Sequence, residues 1–435
     1  MHETKYELVD VNISMAKLNR EVSEQWKEKN INSRIMNLNN KGKSFVFLEG
    51  PPTANGRPHI GHAMTRTLKD VFLRYKTMRG YMVERRTGGW DCHGLPVEIE
   101  AEKYFGIKSK KEIEAIGIEK FNNYCRESVF RYIDDWMEMD TLIGFSVDHK
   151  KAYVTMRPEY IESEWWAMKL LFDKKLLEKD YKIVPYCPRC GTSLSSHEVA
   201  QGYEEVKDPS VYVKFRIKGF ATRYLLAWTT TPWTLPSNEF LAVNPDFTYV
   251  LIRHENEEFY LLKEKVSEIF GSDYELLNEI KGIDLIGMNY DQIIPILKPP
   301  SGTLRVVSGN FVGREDGTGI VHVAPAFGAD DFDVGKREHV EMLNPVDLSG
   351  KFASPDMPWN GLFVKDADRE ILKYLKDHKS LFRSTRIEHT YPFCYRCKSP
   401  LLYYPLDTWF IRVSRFRKEI GENNQKINWF PSAYQ

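Results

Sequence analysis

Two histidines three residues apart, His59 and His62 in PHIGH, stand where a glycine- and proline-rich loop, GPPTANGRP, meets the start of a helical pattern. The first N–H groups of a helix lack intrahelical partners and carry partial positive charge, so such a loop leaves them open to an anion. Imidazoles on one face of that turn can donate hydrogen bonds to phosphoryl oxygens. Gly61 between them leaves room for a flat base or sugar. The same pair also reads as capping and packing histidines after a structural turn. A second group is sulfur: Cys187 and Cys190 in YCPRCG, Cys394 and Cys397 in FCYRCK, four of the six cysteines. Four thiolates suit a closed tetrahedral zinc site. The pairs lie roughly 200 residues apart, well beyond single-finger spacing, which keeps free thiols or two unrelated turns open.

Two further strings gather polar side chains. WTTTPWTLPSN (228–238) carries Thr229, Thr230, Thr231, Thr234 and Asn238, and also reads as a strand running into a proline-bounded turn. GTGIVHVAPAFGADDFDVG (317–335) puts His322 on a strand and Asp330, Asp331 and Asp333 at a loop-to-helix junction, where carboxylates often cap helices. Asp91, in GGWDCHGLPVE, reads by itself as a solvated loop acid.

The elements that must position these residues follow from periodicity. KSFVFLEG (43–50) is a short apolar run consistent with a buried strand. From Ile60 the apolar residues Met64, Leu68, Val71, Phe72, Tyr75 and Met78 recur at three and four, and Gly80 stops the pattern. YMVERRTGGWD offers a second strand, so the order strand, loop, helix, strand opens a parallel doubly wound sheet. Residues 119–140 and 158–178 read as packing helices. After Cys190 come SVYVKFRI, YLLAWTTT, FTYVLIRH, EEFYLLKE, LRVVSGNFVG and GIVHVAPAF, β-rich runs separated by turn residues. A mainly β domain is therefore expected over roughly 191–393, with the cysteine pairs at its entry and exit.

Length and charge bound the rest. At 435 residues, two or three domains are expected. Lys plus Arg (61) equals Asp plus Glu (61), so bulk charge points to neither nucleic acid nor membrane. MHETKYELVD has no apolar leader core, and no run approaches the roughly 18 apolar residues of a membrane span. A cytoplasmic protein without a membrane partner is expected.

EGPPTANGRPHIGHAMTRTLKD (49–70) followed by RRTGGWDCHGLPVEIE (85–100) resembles the signature of the class I aminoacyl-tRNA synthetases, and among them the isoleucyl type. The resemblance runs from about Lys43 to Ser414. It implies an α/β fold, a partial Rossmann-like nucleotide-binding domain with an inserted mainly β editing domain. It implies His59 and His62 as stabilisers of charge on ATP phosphates and Gly61 as the adenine-side gap. Gly50, Pro51 and Thr53 would belong to the amino-acid pocket, with Asp91 on the substrate ammonium and His93 beside it. In the editing domain it implies Asp331 on the ammonium of a misattached amino acid and His322 limiting side-chain size. Thr229, Thr230, Thr231, Thr234 and Asn238 would line the pocket around the terminal ribose and the attacking water. Cys187, Cys190, Cys394 and Cys397 would hold structural Zn2+. ATP with Mg2+, isoleucine and its tRNA are the implied substrates, and a monomer is expected. The expected divisions are a helical extension over 1–42, half of the nucleotide fold over 43–186, a zinc-pinned insertion over 187–398 with its β-rich part at about 195–388, and a return into the catalytic domain over 399–435. The family's lysine-rich KMSKS loop does not occur in the sequence, so an N-terminal portion of a larger enzyme is expected. Valyl- or leucyl-type relatives, a stand-alone deacylase and a tRNA-binding module are the competing expectations.

Overall fold

The computed structural model describes residues 12–86, 89–107, 110–149 and 152–429, and its contacts part into two units, Met1–Leu177 and Glu178–Gln435. In the first unit, α1 (Met15–Glu28) is capped by Ser14 and followed by α2 (Ile31–Met36). These helices occupy the expected extension, whose residues 1–11 lie outside the described ones. β1 (Ser44–Leu48), α3 (Ile60–Met78) and β2 (Met82–Arg86) then form the expected unit, with β1 and β2 parallel in the register Ser44↔Met82 to Leu48↔Arg86. Thr87 and Gly88, in the string read as the second strand, lie outside the described residues.

The stripe that reveals α3 in the sequence is not its buried face. Ile60 and Met78 are each 85% exposed and Met64 62%, whereas Arg66, Asp70 and Leu73 are buried. Ion pairs explain the inversion: Arg66 pairs with Asp140 and Asp70 with Arg74, so charge is neutralised on the inward side. β1 likewise is not the buried strand expected, since Val46 and Leu48 are exposed. Only two strands pair in this sheet among the described residues, too few to enclose both faces.

Beyond β2 come α4 (Leu95–Phe105), α5 (Lys110–Ile116), α6 (Ile118–Val129), α7 (Ile133–Leu142) and α8 (Pro158–Asp173). The single helix expected over 119–140 is therefore two. No glycine or proline announces the break, but the Ser128 hydroxyl takes the Cys125 carbonyl at 3.0 Å, a local bond that competes with helix propagation. Both halves keep an inward face through Phe121, Val129 and Trp136. The helix expected to reach 178 stops at Asp173, because Lys175 turns left-handed (φ 55°). It has no buried residue, so it is not the packing helix expected.

In the second unit β3 (Leu177–Cys187) pairs with β4 (Thr192–Ser193), and α9 (Ser196–Ala200) follows. The main sheet holds β5 (Tyr203–Arg216), β6 (Arg223–Thr229), β7 (Phe240–Val243), β8 (Thr248–His254), β9 (Glu257–Leu262), β10 (Glu275–Lys281), β11 (Arg305–Ser308), β12 (Ile320–Val323) and β13 (Leu381–Pro392). The path is β10-β8-β9-β6-β12-β7-β11, with β5 joining β6 to β13. Short helices α10 (Val266–Phe270) and α11 (Gly282–Leu285), then α12 (Ala329–Arg337) and α13 (Val364–Asp377), decorate it. The core takes Val211, Val213, Phe215, Leu225, Leu241, Tyr249, Tyr290 and Trp359. Burying a large apolar side chain stabilises by roughly 1.5–3 kcal/mol, so this sheet is held by its inner faces.

All six β-rich runs yield strands, while β7, β10 and β13 go unread: β7 is four residues long, and β10 and β13 are largely solvated along one face. β14 (Leu402–Ile411) pairs with β3, and α14 (Arg417–Asn424) follows. The contact division falls between Leu177 and Glu178 and keeps 399–429 with the second unit. Residues 430–435 of the expected return lie outside the described ones.

Candidate functional site

The first unit builds its site on the start of α3. His59 is the N-cap: its Nδ1 accepts the Gly61 N–H at 3.1 Å, and the His59 N–H donates to His62 Nδ1 at 3.2 Å. Two imidazoles thus form a reciprocal capping box. The geometry shows the capping reading of the histidines, and each Nδ1 that accepts leaves the proton of the neutral ring on Nε2, where it can donate. The rings stack at 3.8 Å, and Trp136 lies 4.7 Å from His62. Burial first, then His59 and Arg66, hold the His62 pKa below its ordinary value, which favours the neutral donor. A Cβ at Gly61 would fall 2.9 Å from His59 Cε1. The space at Gly61 is therefore taken by the His59 ring.

A cavity of about 520 Å3 opens beside this cap. Of the residues expected at the activation site, Gly50, Pro51, Thr53 and His62 line it. His59, Gly61, Asp91 and His93 do not. Asp91 is tied nearby, its N–H donating to Pro52 O at 3.0 Å and its Oδ1 accepting from the His93 N–H at 3.3 Å. His93 Nδ1 and the Cys92 N–H both meet Thr155 Oγ1. The cavity adds residues that motif reading passed over. Lys69 Nζ donates to Glu49 Oε1 at 2.9 Å, and Trp136 donates from Nε1 to Gly56 O at 2.9 Å. Arg66 lies four residues past His62, hence on the same face of α3, a spacing that could have marked it.

In the second unit, β6 ends at Thr229 because Pro232 cannot continue a ladder, and Pro232–Ser237 coils into a 3-10 turn. A second cavity of about 520 Å3 forms there, lined by Thr229, Thr230, Thr231, Thr234, His322, Phe327 and Asp331 among others. The threonines are coupled: Thr231 N–H donates to Thr229 Oγ1 at 3.1 Å, and Thr234 Oγ1 donates to Thr231 O at 2.8 Å. Asp368 on α13 accepts the Trp233 N–H at 2.9 Å and pins the turn. Asn238 is not in the lining as expected. It stands behind His322, 2% exposed, with its Nδ2 2.8 Å from His322 Nδ1. Its amide has buried carbonyl and imidazole partners on that side, which draw it inward.

Asp331 sits in the first turn of α12 and accepts the Ala324 N–H on Oδ2 at 2.8 Å. Burial pushes its pKa up to about 7, the Ala324 bond opposes this, and the Asp330 charge adds to it. A half-buried carboxylate whose desolvation is not offset by a cation is suited to receive an ammonium group. His322 moves the other way: burial lowers its pKa to about 3 against the Thr234 bond, so the ring is neutral at physiological pH. Asp330 and Asp333 are exposed and absent from the lining.

Both cysteine pairs close on one point. The four Sγ atoms of Cys187, Cys190, Cys394 and Cys397 lie within 4.8 Å of one another, with Cys187 and Cys397 at 3.4 Å. Zn–S bonds of about 2.3 Å in a tetrahedron place sulfurs roughly 3.8 Å apart, so the cluster fits that ion. Each pair ends on a left-handed residue, Gly191 (φ 66°) and Lys398 (φ 61°). The Cys190 N–H points at Cys187 Sγ, 3.4 Å away, as a thiolate acceptor would use it.

The family model "tRNA synthetases class I (I, L, M and V)" matches residues 21–435. Isoleucine–tRNA ligases from Picrophilus torridus and Thermoplasma acidophilum are 61% and 57% identical over 431 residues, 99% of this chain and 42% of each relative. That from Clostridium tetani is 49% identical over 98% of the chain and 41% of its own length. The chain thus spans about 42% of the length of the relatives it matches. The crystal structure of GlLeuRS-CP1 overlaps 40% of this chain and 98% of its own at 17% identity and a TM-score of 0.34. On the sequence match, which covers the helix cap, the threonine-lined cavity and the cysteine cluster alike, the chain belongs to the class I tRNA synthetases of the I, L, M and V group.

Proposed function

We propose that this chain forms the adenylate-side half site and the editing site of an isoleucine–tRNA ligase, acting on ATP with Mg2+, isoleucine and the isoleucine tRNA in the cytoplasm as a monomer. The carrying observation is the second cavity, where threonine hydroxyls, a neutral His322 and a half-buried Asp331 share one space of about 520 Å3. In the first unit, His59 and His62 present Nε2–H groups toward ATP phosphates and stabilise charge by hydrogen bonding as it moves to the leaving pyrophosphate. Gly50, Pro51 and Thr53 shape the amino-acid pocket, and Asp91, with His93 beside it, takes the substrate ammonium. Such a pocket excludes larger side chains but admits valine, because a missing methylene changes affinity too little; isoleucyl enzymes are the standard worked case of this limit.

The second cavity completes the sieve. Asp331 takes the ammonium of valine esterified to the tRNA, and His322 walls off the longer isoleucine side chain. Water held by the Thr229, Thr230, Thr231 and Thr234 hydroxyls and the terminal ribose attacks the ester carbonyl carbon. The ribose oxygen leaves with a proton from that water, giving free valine and free tRNA. Structural Zn2+ on Cys187, Cys190, Cys394 and Cys397 would supply a cross-link between the strands entering and leaving the β sheet. The test is Asp331→Ala in the intact protein. Valyl-tRNA for isoleucine should accumulate while isoleucine charging is retained, and unchanged deacylation would remove Asp331 from the site.

A further inference from the structure

Tyr290 lies outside every motif, yet its hydroxyl begins a chain of hydrogen bonds that ends on the cavity wall. It is fully buried, edge-on to Phe215 at 5.4 Å, and donates to Asn238 Oδ1 at 2.8 Å. Each later link has a determined direction. Phe240 O can only accept, so the Asn238 atom 2.9 Å from it is the amide nitrogen. The same nitrogen lies 2.8 Å from His322 Nδ1, which must therefore accept. The ring proton then sits on Nε2 and is donated to Thr234 Oγ1 at 2.9 Å. Thr234 passes its own proton to Thr231 O.

We propose that Tyr290 is a positioning residue of this cavity: through Asn238 it holds His322 as the Nε2–H tautomer and so fixes the polarity of the Thr234 hydroxyl. This rests on the hydrolytic reading of the pocket and deepens it. With its hydrogen donated to Thr231 O and one lone pair taken by His322, Thr234 Oγ1, which also lies 3.5 Å from Thr231 Oγ1, can only accept from any further group in the cavity. It grips a water or ribose hydroxyl by its hydrogen and leaves the oxygen lone pair turned toward the ester carbonyl. Tyr290 guards this state because a rotated Asn238 amide would set Oδ1 against Phe240 O and turn Nδ2 onto the Tyr290 hydroxyl, leaving that buried O–H without its acceptor. Without the Tyr290 hydroxyl, Oδ1 loses its donor and only Phe240 O still opposes the rotated amide, whose population rises. His322 then carries its proton on Nδ1, Nε2 accepts from Thr234, and the hydroxyl reverses.

The experiment is 15N-histidine NMR of the protein, the His322 signals being assigned among 11 histidines by their loss in His322→Gln, paired with deacylation kinetics on valyl-tRNA. Wild type should show a neutral Nε2–H ring. Tyr290→Phe should shift it toward Nδ1–H and lower the deacylation kcat about tenfold, the worth of one hydrogen bond, with KM within about twofold. An Nδ1–H ring in wild type overturns the proposal whether or not the variant folds. So does Tyr290→Phe with the wild-type tautomer, at any activity, since Tyr290 would then be structural only. A wild-type protein that does not deacylate would instead refute the hydrolytic reading, leaving the tautomer measurement to stand by itself.

Discussion

Gly328→Ala isolates the placement of Asp331 from its chemistry. Gly328 is the N-cap of α12 with extended backbone (φ −142°, ψ 143°), a conformation alanine adopts without strain. The conflict is steric: a Cβ there would lie 2.7 Å from Asp331 Cγ and 3.0 Å from each carboxylate oxygen. Carbon atoms settle at about 3.5–4.0 Å, so the carboxylate must retreat by roughly 1 Å. Its 2.8 Å bond from the Ala324 N–H would then exceed hydrogen-bond length. A hydrogen bond to a charged group is worth about 1.5–3 kcal/mol, and a carboxylate moved off the ammonium position forfeits a similar amount in the transition state. The expected loss in kcat/KM for valyl-tRNA deacylation is about 10- to 150-fold. Isoleucine activation should be untouched, while loss of the Ala324 bond should lower the melting temperature modestly. The assay is release of labelled valine from preformed valyl-tRNA by the intact protein. Wild-type deacylation by Gly328→Ala would show that the observed Asp331 pose has no part in the reaction.

Three other outcomes follow from the same geometry. His59→Asn keeps a side chain that caps helices well but removes the Nε2 donor; isoleucine-dependent pyrophosphate exchange in the intact protein should fall about 10²- to 10³-fold with the melting temperature nearly unchanged, and equal loss of stability and exchange would mean the histidine only caps. Asp331 has a pKa raised to about 7 by burial and acts as the anion, so kcat/KM for deacylation should climb with pH and level off above about 7, a limb that Asp331→Asn should abolish. The sign for stability is the opposite: the folded protein holds a proton that the unfolded chain releases near its ordinary carboxyl pKa, so this group's contribution declines as pH rises between about 4 and 7. Metal analysis should find one zinc per chain, lost in Cys190→Ser together with a lowered melting temperature, since a structural site couples binding to folding; full stability after complete metal removal would leave the four thiols without a structural ion.

Sequence alone determined the elements that rest on local physics and on long motifs. The β1–α3–β2 order follows from a short apolar run, a proline-glycine loop and a three-four periodicity, each legible within about twenty residues. The six β-rich runs and the helix junction at Asp331 were readable for the same reason. Tertiary structure alone decided which faces those elements bury. The apolar stripe of α3 points outward because Arg66 and Asp140, 74 residues apart, pair on the inward side, and no window around the helix contains that partner. It also decided where each of these residues stands and what it touches. Gly61 yields its space to the His59 ring, Asn238 serves His322 from behind, and Tyr290 reaches Asn238 across 52 residues. The cysteines show the division most plainly: the sequence displays two pairs, and only strand pairing at the two ends of the β sheet brings their sulfurs within 4.8 Å. A hydrogen bond or metal site depends on distance in space, and composition and spacing record only distance along the chain.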